Sequence, residues 1–193
     1  MPLLQSPLAA ILGAGPAGLM AAEVLSAAGV EVHVYDAMPS AGRKFLLAGK
    51  GGLNLTHSEP LPSFIERFGE QAAVVGDWLH DFGPQAVRDW AAGLGVGTFV
   101  GTSGRVFPTE MKAAPLLRAW LHRLRHPRAP GAVPVRFHMR HRWVGWGDAA
   151  VTPESIAAGA GQASAGGLFV FESPAGCVGL APAAALLALG GAS

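Results

Sequence analysis

With 193 residues, 50% of them hydrophobic and 14% charged, the chain is long enough for one domain with a real core and too apolar to be intrinsically disordered. A net charge of +1 gives no global field toward nucleic acid or acidic lipid. The single cysteine, Cys177, excludes an internal disulfide and a cysteine-built zinc centre, and it fits a reducing cytosol.

Leu8 to Leu12 is a short apolar run bounded by glycine, which predicts a fully buried strand. After a turn at Gly13 to Pro16, Ala17 to Ala28 has a strong helix composition, with Gly29 placed as the residue that closes it. Val30 to Tyr35 is a β-branched alternation ending at Asp36, so the first three elements read as a βαβ unit. The apolar stretch from Leu8 to Val30 is no signal peptide, because the first basic residue is Arg43. Nor is it a spanning helix, since Gly13, Gly15, Pro16, Gly18 and Glu23 interrupt it. No membrane partner is expected, and a cytoplasmic location is.

Asp36 to His57 shows no clear period and is expected to be loop. Ser63 to Leu94 carries helical spacing, with Phe64, Phe68, Val75, Leu79 and Phe82 on compatible faces. Pro115 to Arg125 is a further helix with proline in a permitted first turn. Val133 to Trp146 reads as one strand and Leu168 to Phe171 as another, with Pro153 to Gly167 linker-like between them. Ala183 to Leu189 is an apolar run ending in Gly190-Gly191. It reads as a buried strand that lacks an onward neighbour, so the chain is expected to be truncated.

Gly13-x-Gly15-x-x-Gly18 matches the dinucleotide fingerprint. In a chain with 27 glycines, chance alone supplies about 0.5 such spacings, so context decides. Here the spacing follows a predicted strand, opens a predicted helix, and precedes an acid, Asp36, at the end of a second strand. Gly13 permits the tight turn, Gly15 lets a pyrophosphate approach the backbone, and Gly18 lets helix and strand pack closely. Pro16 presets helical geometry without wasting a donor, and the amides around Ala17 and Gly18 offer a helix N-terminus to phosphate. Asp36 is placed to accept hydrogen bonds from ribose hydroxyls and to repel a 2′-phosphate. Gly49-Lys50 is not the end of a phosphate loop of the Walker type, because Gly51 stands where Ser or Thr is required.

Gly13-Ala14-Gly15-Pro16-Ala17-Gly18-Leu19, Gly42-Arg43-Lys44, and the run Ala48-Gly49-Lys50-Gly51-Gly52-Leu53-Asn54-Leu55-Thr56-His57 occur in that order. Gly104-Arg105-Val106-Phe107-Pro108-Thr109, Arg140-His141-Arg142-Trp143 and Leu187-Ala188-Leu189-Gly190-Gly191 follow. Together these motifs resemble the HI0933-like, YhiN/BaiN group of bacterial flavoproteins, NAD(P)/FAD-dependent oxidoreductases of the aminoacetone-oxidase-like kind. The resemblance covers most of the chain and is thinnest from Gly147 to Gly167.

It implies an α/β fold: a Rossmann-like FAD/NAD(P)-binding domain with a helical insertion and a β-rich segment. Residues 1–57 would be the FAD-binding βαβ unit and cofactor loop, 58–130 the mainly helical insertion, and 131–193 the β-rich segment and return strand. FAD is the implied cofactor, with NAD(P)H as a transient electron donor. Arg43 and Lys44 would line the cofactor's ribose and phosphate region. Gly51, Gly52 and Asn54 would form a close-approach loop near the flavin, and Gly190 lies in a return turn whose backbone passes the dinucleotide. Many relatives have Arg-Cys-Asn where this chain has Gly52-Leu53-Asn54, so no thiol stands there. Relatives continue into a substrate-side domain, so the resemblance implies an N-terminal portion and assigns no catalytic acid or base.

His122, His126, His138 and His141 with Arg118, Arg123, Arg125, Arg128, Arg136, Arg140 and Arg142 form a basic stretch, read as a solvated face. No carboxylate accompanies it between Met111 and Gly147, so no metal is expected. Trp78, Trp90 and Trp120 are expected in the core. Glu66, Glu70, Asp77, Asp81 and Asp89 are expected on the solvent side of a helix. Two alternatives stay open: a non-catalytic dinucleotide-binding remnant, and a basic-patch protein in which Trp143 and Trp146 would stack bases. Substrate and oligomeric state are not legible.

Overall fold

A computed structural model describes residues 8–147 and 168–191. In chain order its elements are β1 (Leu8–Leu12), α1 (Pro16–Ala27), β2 (Glu31–Asp36), α2 (Arg43–Ala48), β3 (Thr56–His57), α3 (Leu61–Glu66), α4 (Ala72–Asp81) and α5 (Pro84–Gly93). They continue as β4 (Thr98–Val100), β5 (Arg105–Pro108), α6 (Ala113–Arg125), β6 (Arg136–Met139), β7 (Arg142–Gly147), β8 (Leu168–Ser173), β9 (Gly176–Leu180) and β10 (Ala184–Leu187). Two compact units result, Met1–Arg43 with Leu124–Ser193, and Lys44–Arg123.

The first unit is built on a parallel sheet of order β10-β1-β2-β6. Ala9 to Leu12 is buried throughout, which is why β1 is continuously apolar rather than alternating. Val32 and Val34 fill the same core from β2. Helix α1 makes the crossover from β1 to β2. It closes as its sequence predicts: Gly29 has φ 80°, its N–H donates to Ser26 O at 3.0 Å, and Val30 N–H donates to Leu25 O at 3.0 Å. This doubled closure satisfies carbonyls that the helix end would leave open.

A second, antiparallel sheet of order β7-β8-β9 belongs to the same unit. It packs Phe169 and Phe171 onto Ala10, Leu12 and Tyr35, with Trp143, Trp146 and Leu180 around them. The segment Val133 to Trp146 is therefore two strands in two sheets, not one. The break falls at Arg140, whose φ of 60° is left-handed. There Arg140 N–H donates to Met38 O at 3.0 Å and His141 N–H to Asp36 O at 2.9 Å, so the chain follows β2 to its end before turning away. The apolar run near the end of the chain forms β10, which among the described residues pairs with β1 alone. Its four residues are exposed, which corrects the reading of a buried strand. Cys177 lies exposed on β9, an element the sequence did not reveal. Pro153 to Gly167, read as a linker, lies outside the described residues.

In the second unit, helix α2 and strand β3 replace part of the loop expected from Asp36 to His57. The helical run from Ser63 to Leu94 is three helices. Gly69, at φ 54°, separates the first two, and Pro84 opens the third. Strands β3, β5 and β4 form an antiparallel sheet, and β4 and β5 fall inside the segment 58–130 expected to be mainly helical. Each is too short to display an alternation in the sequence. Leu53, Ala91, Ala113 and Leu116 form a core with Phe45, Leu55, Trp90, Leu94 and Val96. Trp120 is 2% exposed but Trp78 is 66% exposed, so Trp78 is not a core residue. Among the described residues no helix is long and apolar enough to cross a membrane.

Candidate dinucleotide site

Strand β1 delivers the chain to Gly13, whose N–H donates to Tyr35 O at 2.8 Å. Gly13 has φ 114°, and a side chain there would collide with the Ala188 carbonyl. That carbonyl belongs to the chain just past β10, held by Ala188 N–H donating to Leu12 O at 2.8 Å. Gly18 is equally constrained. A Cβ there would collide with the Gly13 carbonyl and approach Ile11 Cγ2 to 3.2 Å. Both glycines are required by the packing of the turn itself.

Gly15 is different. It caps α1 with ordinary extended backbone at φ −79°, and a Cβ built on it meets nothing within 4 Å. The fold gives no reason for a glycine there, whereas a ligand pressed against the backbone does. No side chain caps α1, and its first turn carries no acidic residue. Pro16 and Ala17 are exposed. The helix start thus presents amide donors and about half a positive charge to the space in front of Gly15.

Asp36, at the end of β2, points its carboxylate back at this turn. Oδ2 accepts Ala14 N–H at 2.7 Å and Oδ1 accepts Met38 N–H at 2.8 Å. Ala14 O in turn accepts Gly42 N–H at 2.8 Å. Arg43 is exposed one residue further on, and Gly190, exposed at φ 72°, follows β10. The first unit therefore brings Gly13, Gly15, Pro16, Ala17, Gly18 and Asp36 around one turn. Sequence reading missed Ala14 and Gly42, which contribute only backbone groups.

Lys44, Gly51, Gly52 and Asn54 lie in the second unit. Lys44 is exposed at the start of α2. Gly52, at φ 115°, has Met111 Cε 2.7 Å from where a Cβ would stand, but Gly51 meets nothing within 4 Å, a second glycine whose lack of a side chain the fold does not demand. Asn54, with its amide nitrogen facing the carbonyls of Thr56 and Val106, donates to both at 2.9 and 3.2 Å. These bonds fix the loop after Gly52 beside β5.

The basic stretch does not behave as one solvated face. His138 is partly buried, with its Nε2 3.2 Å from His33 Nδ1, and His33 Nε2 lies 3.2 Å from Glu31 Oε1. Burial, then the neighbouring His33, His141 and Arg136, lower the pKa of His138, and burial raises that of the Tyr35 phenol. Among the described residues no three His, Cys, Asp or Glu side chains are grouped to hold a metal ion.

In solved structures the same fold recurs. The chain is similar to the open conformation of a flavocytochrome c3 fumarate reductase at 15% identity, with a TM-score of 0.65 over 95% of this chain and 33% of that one. Sdh1 of Mycobacterium smegmatis gives 16% identity and a TM-score of 0.59 over 97% of this chain and 34% of that one. A 3-ketosteroid-delta4-(5alpha)-dehydrogenase of Rhodococcus jostii RHA1 gives 14% and 0.55, over 96% and 47%. The chain thus spans between a third and a half of the length of these proteins. No curated protein matches it in sequence. The family model of the HI0933-like protein Rossmann domain matches residues 8–170. That is most of the chain, spans both halves of the turn's supporting sheet except β10, and makes the protein a member of the HI0933-like Rossmann-domain family.

Proposed function

We propose that the first unit holds FAD, with the diphosphate seated against Gly15 and the start of α1, and that the protein acts in an FAD-dependent oxidation or reduction. The observation that carries this is the open space before Gly15 at an uncapped helix N-terminus. Both features suit a doubly anionic group that must touch backbone. FAD is favoured over other dinucleotides by the family's resemblance to flavoproteins and by the name of the flavocytochrome neighbour.

When bound, FAD supplies hydride and electron chemistry, while the protein supplies binding and orientation. Gly15, Ala17 and Gly18 would present amides to the diphosphate. Asp36 would meet the ribose with its remaining lone pairs, and Arg43 and Gly190 would border the cofactor. The resemblance to the family also assigns Lys44, Gly51, Gly52 and Asn54 to the cofactor, and these four stay part of the proposal on that ground alone. In this proposal residues 1–57 and 131–193 form the cofactor domain around an insertion at 58–130. NAD(P)H as transient donor and a cytoplasmic location belong to the same proposal.

Purification tests it directly. The protein should be yellow, or should take up added FAD with quenching of flavin fluorescence. Gly15→Val should abolish uptake while leaving the far-UV circular dichroism unchanged. A colourless protein that takes up no FAD would refute the proposal.

A further inference from the structure

The geometry points to Asp36 as a positioning residue: its carboxylate latches the glycine-rich turn into the shape that receives a diphosphate, whatever else it contacts. Ala14 is fully buried, so water cannot serve its N–H, and an unserved buried amide is costly. The ladder between β1 and β2 does not meet that amide. The acceptor is the side chain of Asp36, through Oδ2 at 2.7 Å.

The carboxylate is itself held, because Oδ1 accepts the N–H of Met38 at 2.8 Å, a local bond of the kind that fixes aspartate at the start of a turn. The carbonyl of Ala14, in the next peptide, accepts Gly42 N–H at 2.8 Å. One residue before Gly15, the turn is thus gripped on both polar groups by the segment Asp36–Gly42. Each oxygen has answered one backbone donor, and each keeps a second lone pair. A ribose contact is therefore compatible with the latch but does not explain it.

The binding part of this inference rests on the FAD reading; the amide part does not. The test is made on the full chain with Asp36→Ala, which leaves both amides without their side-chain acceptor. Without nucleotide, hydrogen exchange at Ala14 should accelerate at least about 10-fold, while Ile11, in the strand leading into the turn but outside the latch, is unchanged. Affinity for FAD and for 2′,3′-dideoxyadenosine diphosphate, which has no ribose hydroxyls, should fall by the same factor, about 10- to 100-fold.

Unchanged exchange at Ala14 would overturn the latch, as would lost FAD affinity with the dideoxy compound bound normally. If the unsubstituted chain takes up neither nucleotide, the FAD reading fails and the exchange measurement alone decides the latch. Asp36→Glu, which keeps the charge but displaces the oxygens by a methylene, gives the same readouts should the alanine variant not fold.

Discussion

Tyr35 and His138 lie stacked, ring centroids 4.5 Å apart and 9° from parallel, and Phe171 stacks on the same Tyr35 ring at 4.6 Å. This slab ties adjacent strands β2 and β6 to β8, so it joins the parallel sheet to the antiparallel one. Two of its three rings are titratable, Tyr35 and His138, and the histidine is the one whose ordinary pKa lies near neutrality. His33, His141 and Arg136 crowd it with further positive or potentially positive charge, and Glu31, which lies near Arg136 at 3.6 Å, is engaged by His33 rather than by His138.

Stability should therefore depend on pH in a defined direction. The pKa of His138 in the folded chain lies below the ordinary 6.5, so the unfolded chain takes up the proton first. Stability is full above 6.5 and is lost as pH falls from there through the folded value. In urea melts over this range the midpoint should drop with acidification, and His138→Phe, which keeps a stacking ring, should flatten the drop. Equal slopes in both proteins would show that His138 is not the source.

Two of the three fingerprint glycines, Gly15 and Gly18, should separate by experiment. Gly18→Ala forces a methyl into the Gly13 carbonyl and should lower unfolding free energy by about 1–3 kcal/mol or more. Gly15→Ala, in open space at an ordinary backbone angle, should change it by less than about 0.5 kcal/mol. Its effect should fall on nucleotide uptake instead. Chemical denaturation of the nucleotide-free chain makes the comparison.

Ser26, on α1, is buried and donates its hydroxyl to Val133 O at 2.6 Å, while Val133 N–H donates to Ser26 O at 3.1 Å. This reciprocal pair anchors the crossover helix to the chain entering β6. Ser26→Ala leaves the carbonyl without its donor and should cost about 1–2 kcal/mol, with exchange at the β6 amides quickening.

In the second unit Trp120 packs edge-to-face on Trp90 with centroids 4.8 Å apart and on Phe45 at 6.3 Å. Trp120→Ala should cost about 3–5 kcal/mol. Trp78→Ala, at an exposed position, should stay within about 0.5 kcal/mol. Thermal melts of the two variants test whether aromatic content or burial sets the effect.

The amino-acid order alone determined the opening strand, the crossover helix with its glycine closure, the second strand and the glycine spacing between them. All of these depend on neighbours within a few residues: apolar continuity, helix composition, and the one backbone geometry that glycine allows. It also placed Asp36 at the right end of β2. Only the tertiary structure decided what that carboxylate grips, because Ala14 is 22 residues away in sequence and becomes its neighbour through strand pairing. The same holds for the split of the segment 133–146 between two sheets, where a bond to the end of β2 turns Arg140 into a corner. It holds too for His138, whose ring leaves the basic stretch for an aromatic stack. Local chemistry chose the elements, and the long-range pairing of strands chose which of their polar groups meet.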